Sequence, residues 1–368
     1  MKIALVLPGG VDRGGEQRVI PVFLALIERL ARAHQVHVFV LHQESEAGTW
    51  SLRGATIHNI GEGRTVWRGI AAIRAEHRRA PFDVVQSIFS GHCGLIGVVA
   101  ATSLRLPVFV HIAGGELVAL HAIGYGGRRK WRGRLREAVT LRMAKAVTAA
   151  SMPIVDALHA LGVPATRVPL GVDVDAWTPL PPRPRGDRLP KLIHVASLNR
   201  VKDQATLLRA LAILANAGVD FDMRIVGVDT LGGEMQELAR CLGIERRVTF
   251  LGFRTQAELR PLVASSDLLV MSSLHEAGPL VLLEAAVAGV PTVGTAVGHI
   301  AEWANVAALA VPVGDANALA DAMARVLDDD ALRMRLAGEA QRRALAEDAD
   351  HTAVIFEDMY RTSRPSLP

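Results

Sequence analysis

The 368-residue sequence predicts an α/β protein built from two doubly wound parallel-sheet domains. Three observations predict it. Short apolar, β-branched runs alternate with longer helical patterns from end to end. The runs are nearly continuous rather than alternating, as strands covered on both faces require. The length suits two domains of roughly 100–200 residues each. Hydrophobic residues make up 50% and charged residues 21%, enough for sizeable cores and against disorder.

The first-half strands are expected at 2–7, 35–41, 55–60, 83–88, 107–112, 146–151 and 166–171, with helical stretches such as 18–33 and 133–145 between them. Pro21 inside the first stretch would remove an interior hydrogen bond, so that helix is expected to begin late, near Arg18. Five prolines in "WTPLPPRPRGDRLP" disfavour helix and central strand, which makes 177–190 the linker. The second half repeats the alternation, with strands at 191–197, 222–227, 247–252, 267–272, 291–295 and 309–313. Helices are expected at 315–328, 331–346 and 350–363. The expected organisation is therefore an N-terminal domain at 1–176, the linker at 177–190, a C-terminal domain at 191–346, and a terminal helix and tail at 347–368 that is a candidate to pack back on the first domain. Ligands of such sheets bind at the carboxyl ends of the strands.

Several classes are disfavoured. Cys93 and Cys241 lie far apart and form neither metal-ligand spacing nor a disulfide framework, as in a reducing cytosol. The start "MKIALVLPGG" reads as a first strand, because a signal peptide needs a longer apolar region. No run approaches the roughly 18 apolar residues of a membrane span. The glycine-rich loop 8–17 lacks the full G-x-G-x-x-G spacing, which argues against a nicotinamide site. The formal net charge of +4 is mild, but its distribution is uneven. Segment 126–145 carries Arg128, Arg129, Lys130, Arg132, Arg134, Arg136, Arg142 and Lys145 against one acid, Glu137. It reads either as a solvated helix face or as a dock for anionic lipid headgroups or a polyanionic acceptor. Nucleic acid is not expected, since no aromatic interleaving or binding motif accompanies the charge.

The informative stretch is "HEAGPLVLLEAAVAGVPTV", 275–293. A strand ends, a loop carries His275 and Glu276, and Gly278-Pro279 opens an apolar helix that Gly289 and Pro291 stop. The amides of Leu280, Val281 and Leu282 in its first turn favour an anion. Glu284 is the lone charge of a helix that should be buried. It must find partners, either protein donors or ligand hydroxyls.

Glu276-x7-Glu284 in this setting resembles the signature of retaining glycosyltransferases of family 4, among the glycosyl transferases group 1, which have the GT-B fold of two Rossmann-like domains facing a cleft. "GGEQRVI" (14–20), "VPLGVDVDAWTP" (168–179), "ASLNRVKDQATLLRAL" (196–211), "VTFLGF" (248–253) and "GHIAEW" (298–303) are similar to further family segments, in the expected order. Leu170 stands where Asn is usual, and Ser197 where Arg is usual.

The resemblance implies transfer of a sugar, with retention and without a metal or other cofactor, from a UDP- or GDP-linked donor to a glycan, glycolipid or lipid-linked acceptor. Glu284 would grip ribose hydroxyls. Glu276 would contact the donor sugar. Backbone from Gly278 and Pro279 to Leu280 and Val281 would hold sugar hydroxyls and diphosphate. Lys202 would neutralise the departing diphosphate, and Arg200, near Ser197, would supply the missing guanidinium; the alternative is a solvated loop pair. Phe253 and Arg254 would lie near the base. Gly14, Gly15 and Glu16 would lie near phosphates and acceptor, with Gly114 and Gly115 shaping the acceptor side. His111 is either a neighbour of donor sugar and acceptor or a structural histidine at a strand end. Cell-surface polysaccharide or glycoconjugate synthesis in the cytoplasm, peripheral to the inner membrane face, would follow. A nucleotide-sugar epimerase or a non-catalytic nucleotide-sugar-binding protein on the same scaffold is the alternative.

Overall fold

The structure, a computed structural model, describes residues 1–363. Along the chain come β1 (Lys2–Leu7), α1 (Pro21–Ala31), β2 (Gln35–Val40), β3 (Gly48–Leu52), β4 (Ala55–Asn59), α2 (Thr65–Arg79), β5 (Val84–Ile88), α3 (His92–Leu104), β6 (Val108–Ile112), α4 (Trp131–Met143), β7 (Ala146–Ala149), α5 (Met152–Ala160) and β8 (Ala165–Arg167). Then follow β9 (Lys191–Val195), α6 (Gln204–Asn216), β10 (Asp222–Val226), α7 (Glu234–Cys241), β11 (Val248–Gly252), α8 (Gln256–Ala264), β12 (Leu268–Met271), α9 (Leu280–Val287), β13 (Thr292–Thr295), α10 (Gly298–Glu302), β14 (Leu309–Val311), α11 (Ala316–Asp328), α12 (Asp330–Ala346) and α13 (Ala349–Thr362).

Contacts divide the chain into two units: Met1–Asp173 with the residues from Glu347 onward, and Val174–Ala346. The proline-rich segment 177–190 thus lies within the second unit. Its backbone is tied there, with Leu180 N–H donating to Val287 O at 3.0 Å and Gln341 Nε2 to Leu180 O at 2.6 Å.

The first unit has an eight-stranded sheet, ordered β3-β4-β2-β1-β5-β6-β7-β8. All pairings are parallel except β3 with β4. β3 lies outside the strands expected from the sequence. It begins on Gly48 and alternates exposed and part-buried residues, as an edge strand does. Pro21 opens α1 at N1, where its missing N–H has no intrahelical partner to lose, so no interior bond is broken.

The terminal helix α13 belongs to this unit. Thr352 Oγ1 donates to Pro169 O at 2.8 Å, and Arg167 makes a two-pronged ion pair with Glu347 at 2.6 and 2.7 Å. Buried Arg29 on α1 reaches Asp173 at 2.9 Å and Asp350 at 3.1 Å.

The second unit has a six-stranded parallel sheet, ordered β11-β10-β9-β12-β13-β14. Its core includes Leu207 and Leu211 of α6 and Leu319 and Met323 of α11. The order in which successive strands are laid down reverses between β9 and β12. At such a switch point the loops leaving adjacent strands diverge and open a crevice. The loops after β9 and β12 are Ala196–Asp203 and Ser272–Pro279.

Candidate active site

Those two loops bring together Lys202 and Glu276. Lys202 Nζ donates to Glu276 Oε1 at 2.6 Å, and Ser273 Oγ donates to the same oxygen at 2.7 Å. Both charged side chains are mostly buried, at 24% and 11% exposure. An ammonium has three donors, so two remain for a ligand. The backbone beneath is stitched across the switch point: Ser272 Oγ donates to Lys202 O at 2.8 Å, Leu274 N–H to Val201 O at 2.8 Å, and Thr295 Oγ1 to Ser273 O at 2.6 Å. Gly298, at φ +50°, backs the Glu276 loop. A Cβ there would lie 3.0 Å from Glu276 O, so the close approach requires glycine.

α9 follows. Pro279 is its N-cap rather than its first helical residue, and no side chain caps the turn. Leu282 N–H reaches Pro279 O at 3.3 Å, which narrows the expected anion donors to Leu280 and Val281. From Val281 to Val287 every residue is buried, Glu284 included at 7% exposure. Burial pushes the Glu284 carboxyl up to about 7, opposed by a hydrogen bond from Gln256 and by the charge of Arg260. Gln256 Nε2 to Glu284 Oε1 measures 3.4 Å.

In the first unit, Gly10 N–H and Val11 N–H in the loop after β1 donate to Gln43 Oε1 at 2.8 and 3.0 Å. Gly15, at φ +69°, turns that loop, and Gly14 and Glu16 are exposed beside it. Gly114 and Gly115 pack hard against Phe89 and Glu116, and against Tyr125, respectively.

Two family models match the chain in succession: "Glycosyl transferase 4-like domain" over residues 19–171 and "Glycosyl transferases group 1" over 181–343. This chain belongs to the group 1 glycosyltransferases. The D-inositol 3-phosphate glycosyltransferase of Corynebacterium urealyticum is 34% identical over 183 residues, covering 47% of this chain and 43% of that protein. The N-acetyl-alpha-D-glucosaminyl L-malate synthase of Bacillus anthracis is 33% identical over 173 residues, covering 46% and 44%. The chain therefore spans less than half the length of these curated relatives. In fold it matches the sucrose-phosphate synthase of Thermosynechococcus elongatus with a TM-score of 0.79, over 98% of both chains at 20% identity. It matches Anabaena HepE in complex with UDP and glucose with a TM-score of 0.75, over 98% and 100%, also at 20% identity. The fold is GT-B.

In this chain Lys202, Glu276, Gly278 and the α9 turn come together. Ser197 is exposed in the same loop region. Arg200 is exposed too, but its guanidinium is held by Glu234 at the start of α7, at 2.9 Å. Phe253 is 52% exposed, and Arg254 donates to its carbonyl at 2.9 Å. His111 belongs to the first unit, at the end of β6. Its ring is fully buried, bonded to Thr148 Oγ1 at 2.9 Å and set edge-on to Phe356 of α13. Burial pushes it down to about 3, so it is neutral. Strand alternation turns its side chain towards α13, and its Nε2 is buried without a hydrogen-bond partner among the described residues.

Sequence reasoning missed two supporting residues. His194 in β9 donates from Nδ1 to Val270 O at 2.8 Å and accepts at Nε2 from Gln204 Nε2 at 3.2 Å, and Gln204 Nε2 also donates to Ser197 O at 3.1 Å; together they brace the Lys202 loop from below. A polar residue in the run "KLIHVAS" was the available signal. His37, His58 and Glu76 form the one metal-like group among the described residues. Their geometry is that of a core hydrogen-bond set: His37 Nδ1 faces His58 Nε2 at 2.9 Å, and Lys2 Nζ occupies Glu76 Oε1 at 2.9 Å.

Proposed function

We propose that this chain transfers a sugar, with retention and without a metal ion, from a UDP- or GDP-linked donor to a glycan, glycolipid or lipid-linked acceptor in cell-surface polysaccharide or glycoconjugate synthesis. The observation that carries this reading is the Lys202–Glu276 pair at the switch point of the second sheet, beside the α9 turn and the buried Glu284. The UDP complexes of Anabaena HepE support a nucleotide-sugar donor by likeness of fold. Glu284 takes ribose hydroxyls, Glu276 and the backbone of Gly278 and Pro279 take the sugar, and Phe253 and Arg254 border the base.

In the reaction the bond between the anomeric carbon and the diphosphate oxygen breaks. The acceptor oxygen attacks from the same face, and the leaving phosphate oxygen takes the acceptor's proton. No carboxylate pair need serve as acid and nucleophile. The protein contributes positioning and electrostatic stabilisation. Lys202 and the amides of Leu280 and Val281 stabilise the departing charge, and Arg200 joins them by leaving Glu234.

The acceptor side is read from the first unit. The outer face of α4 exposes Trp131 (61%) and Leu135 (56%), one turn apart, among Arg132, Arg134 and Arg142. The lone acid of the segment, Glu137, is turned inward and bonded to Arg128 at 3.1 Å. A face that is cationic and apolar without acids suits an anionic membrane surface. No helix among the described residues is long and apolar enough to cross a membrane.

A thermal-shift screen against UDP-, GDP- and ADP-sugars, with free nucleotides as controls, tests the donor. Ligand at a hundred times its dissociation constant stabilises by about 2.7 kcal/mol. No shift in a folded sample overturns the reading. A shift without transfer to any acceptor favours the non-catalytic alternative that Ser197 raises, and isomer formation favours the epimerase.

A further inference from the structure

We infer that Gln256 is a positioning residue for the donor nucleotide, aimed by Trp177, and that together they set the acceptor geometry of Glu284. The inference rests on the proposed donor role of Glu284.

Glu284 sits in a helix whose surroundings are apolar. Among the described residues, Gln256 is its one side-chain hydrogen-bond partner. Arg260, one turn further along α8, adds charge of the right sign without a bond. Everything about Gln256 is fixed except its amide. It opens α8, whose first turn is locked by a capping box: Thr255 Oγ1 accepts from Glu258 N–H at 3.4 Å, and Glu258 Oε2 accepts from Thr255 N–H at 2.8 Å.

The amide is fixed in turn by Trp177, 5% exposed, whose Nε1–H donates to Gln256 Oε1 at 3.1 Å. An indole N–H only donates, so the amide oxygen must face it and the NH2 must face Glu284. The result is a directed chain from Trp177 through Gln256 to one oxygen of Glu284. The second oxygen is left to accept from ligand hydroxyls. The 3.4 Å link is long, as hydrogen bonds of ligand-free sites often are before the ligand tightens them. Gln256 is also three residues from Phe253, so one short segment borders the proposed base site and aims the ribose carboxylate.

The test compares full-length wild type with Gln256→Leu, Gln256→Glu, Trp177→Phe and Glu284→Ala, using UDP and GDP as probes in calorimetric titrations at pH 6 and pH 8. Circular dichroism establishes that each variant is folded. Gln256→Leu should weaken nucleotide binding about five- to tenfold, and raise donor KM more than it lowers kcat. Trp177→Phe keeps an aromatic ring but frees the amide to flip, and should weaken binding about twofold to threefold.

Gln256→Glu is decisive. It sets two carboxyls side by side, which repel when both are ionised and share a proton when one is not. Its binding should be weak at pH 8 and recover towards wild type at pH 6. A merely structural role for Gln256 would not produce that recovery. If Glu284→Ala loses binding while all three Gln256 and Trp177 variants keep wild-type affinity at both pH values, the inference is overturned and the donor reading stands. If Glu284→Ala binds like wild type, or wild type binds neither nucleotide, the donor reading fails and takes the inference with it.

Discussion

Glu116 in the first unit and Glu284 in the second make an instructive pair. Burial pushes both carboxyls up to about 7. Their donors differ in kind. Glu116 Oε1 accepts from Ser90 N–H at 3.2 Å, and the amides of Gly114 and Ala113 also favour its charge. These are backbone groups of the loops after β5 and β6, so Glu116 ties two loops together. Glu284 has one rotatable side-chain amide at 3.4 Å. A shifted carboxyl therefore does not by itself mark a ligand site. Where the backbone supplies the donors, the group serves the architecture. Where a single side chain supplies them, hydroxyls from outside can complete the shell.

The largest effects should come from the charged pair that flanks Glu284 in the proposed site. Lys202→Ala and Glu276→Gln should each lower the transfer rate about 10²- to 10³-fold at saturating donor, the scale of losing one preorganised electrostatic contact. The rate is measured with whichever donor the thermal screen selects. A Lys202→Ala enzyme working at the wild-type rate would place the departing charge elsewhere and leave Glu284 without its setting.

Next come the two carboxyls themselves, which should share the sign of their pH dependence and differ in nucleotide binding. For Glu284 the folded value is raised from 4.5 to about 7. Between those values the folded state holds a proton that the unfolded chain has released, so stability falls as pH rises through that window. The full loss is about 3 kcal/mol. Glu284→Gln should abolish that part of the slope and raise the melting temperature of the ligand-free protein at pH 8. The same change should weaken UDP or GDP binding at least tenfold, on the scale of hydrogen bonds to a charged group. Glu116→Ala should lower stability at pH 5, where the buried carboxyl is protonated, by about 2 kcal/mol because it strands buried backbone donors, should remove the same fall in stability towards pH 8, and should leave nucleotide affinity within twofold of wild type. Thermal melts from pH 5 to 8, with and without nucleotide, read both. Equal nucleotide affinities of the two variants would break the comparison.

The sequence was most legible where burial is total. Continuous runs such as "KIALVL" and "DLLVMS" read as strands covered on both faces, and they appear as β1 and β12. β3 escaped because an edge strand is half exposed, and "GTWSL" carries no continuous run. Glu284 was legible because a charge inside an apolar helix is rare enough to need a reason, while Glu276 and Lys202 were reached through the resemblance of their segments to a known family. Gln256 was not, since a glutamine at the start of a surface helix is commonplace. Its significance arises from Trp177, 79 positions away in sequence. His111 stayed open between two readings for the converse reason: a polar residue near a strand end carries no sign in the sequence of which face it takes.

The smallest expected effects concern Arg200, and they sharpen what the Lys202 result can mean. Its ion pair with Glu234 joins side chains 58% and 49% exposed, so it contributes little to stability, about 0–1 kcal/mol. Arg200→Ala should leave the melting temperature within about a degree. If Arg200 stands in for the cation missing at Ser197, the same variant should slow transfer about threefold to tenfold, the scale of a solvent-exposed contact to a charged phosphate. Glu234→Gln should then free the guanidinium and tighten donor binding about twofold. Ser197→Arg placed on the Arg200→Ala background should recover the lost rate. A pair of results in which Arg200→Ala transfers normally and Ser197→Arg adds nothing would assign the whole of the departing charge to Lys202 and the amides at the start of α9.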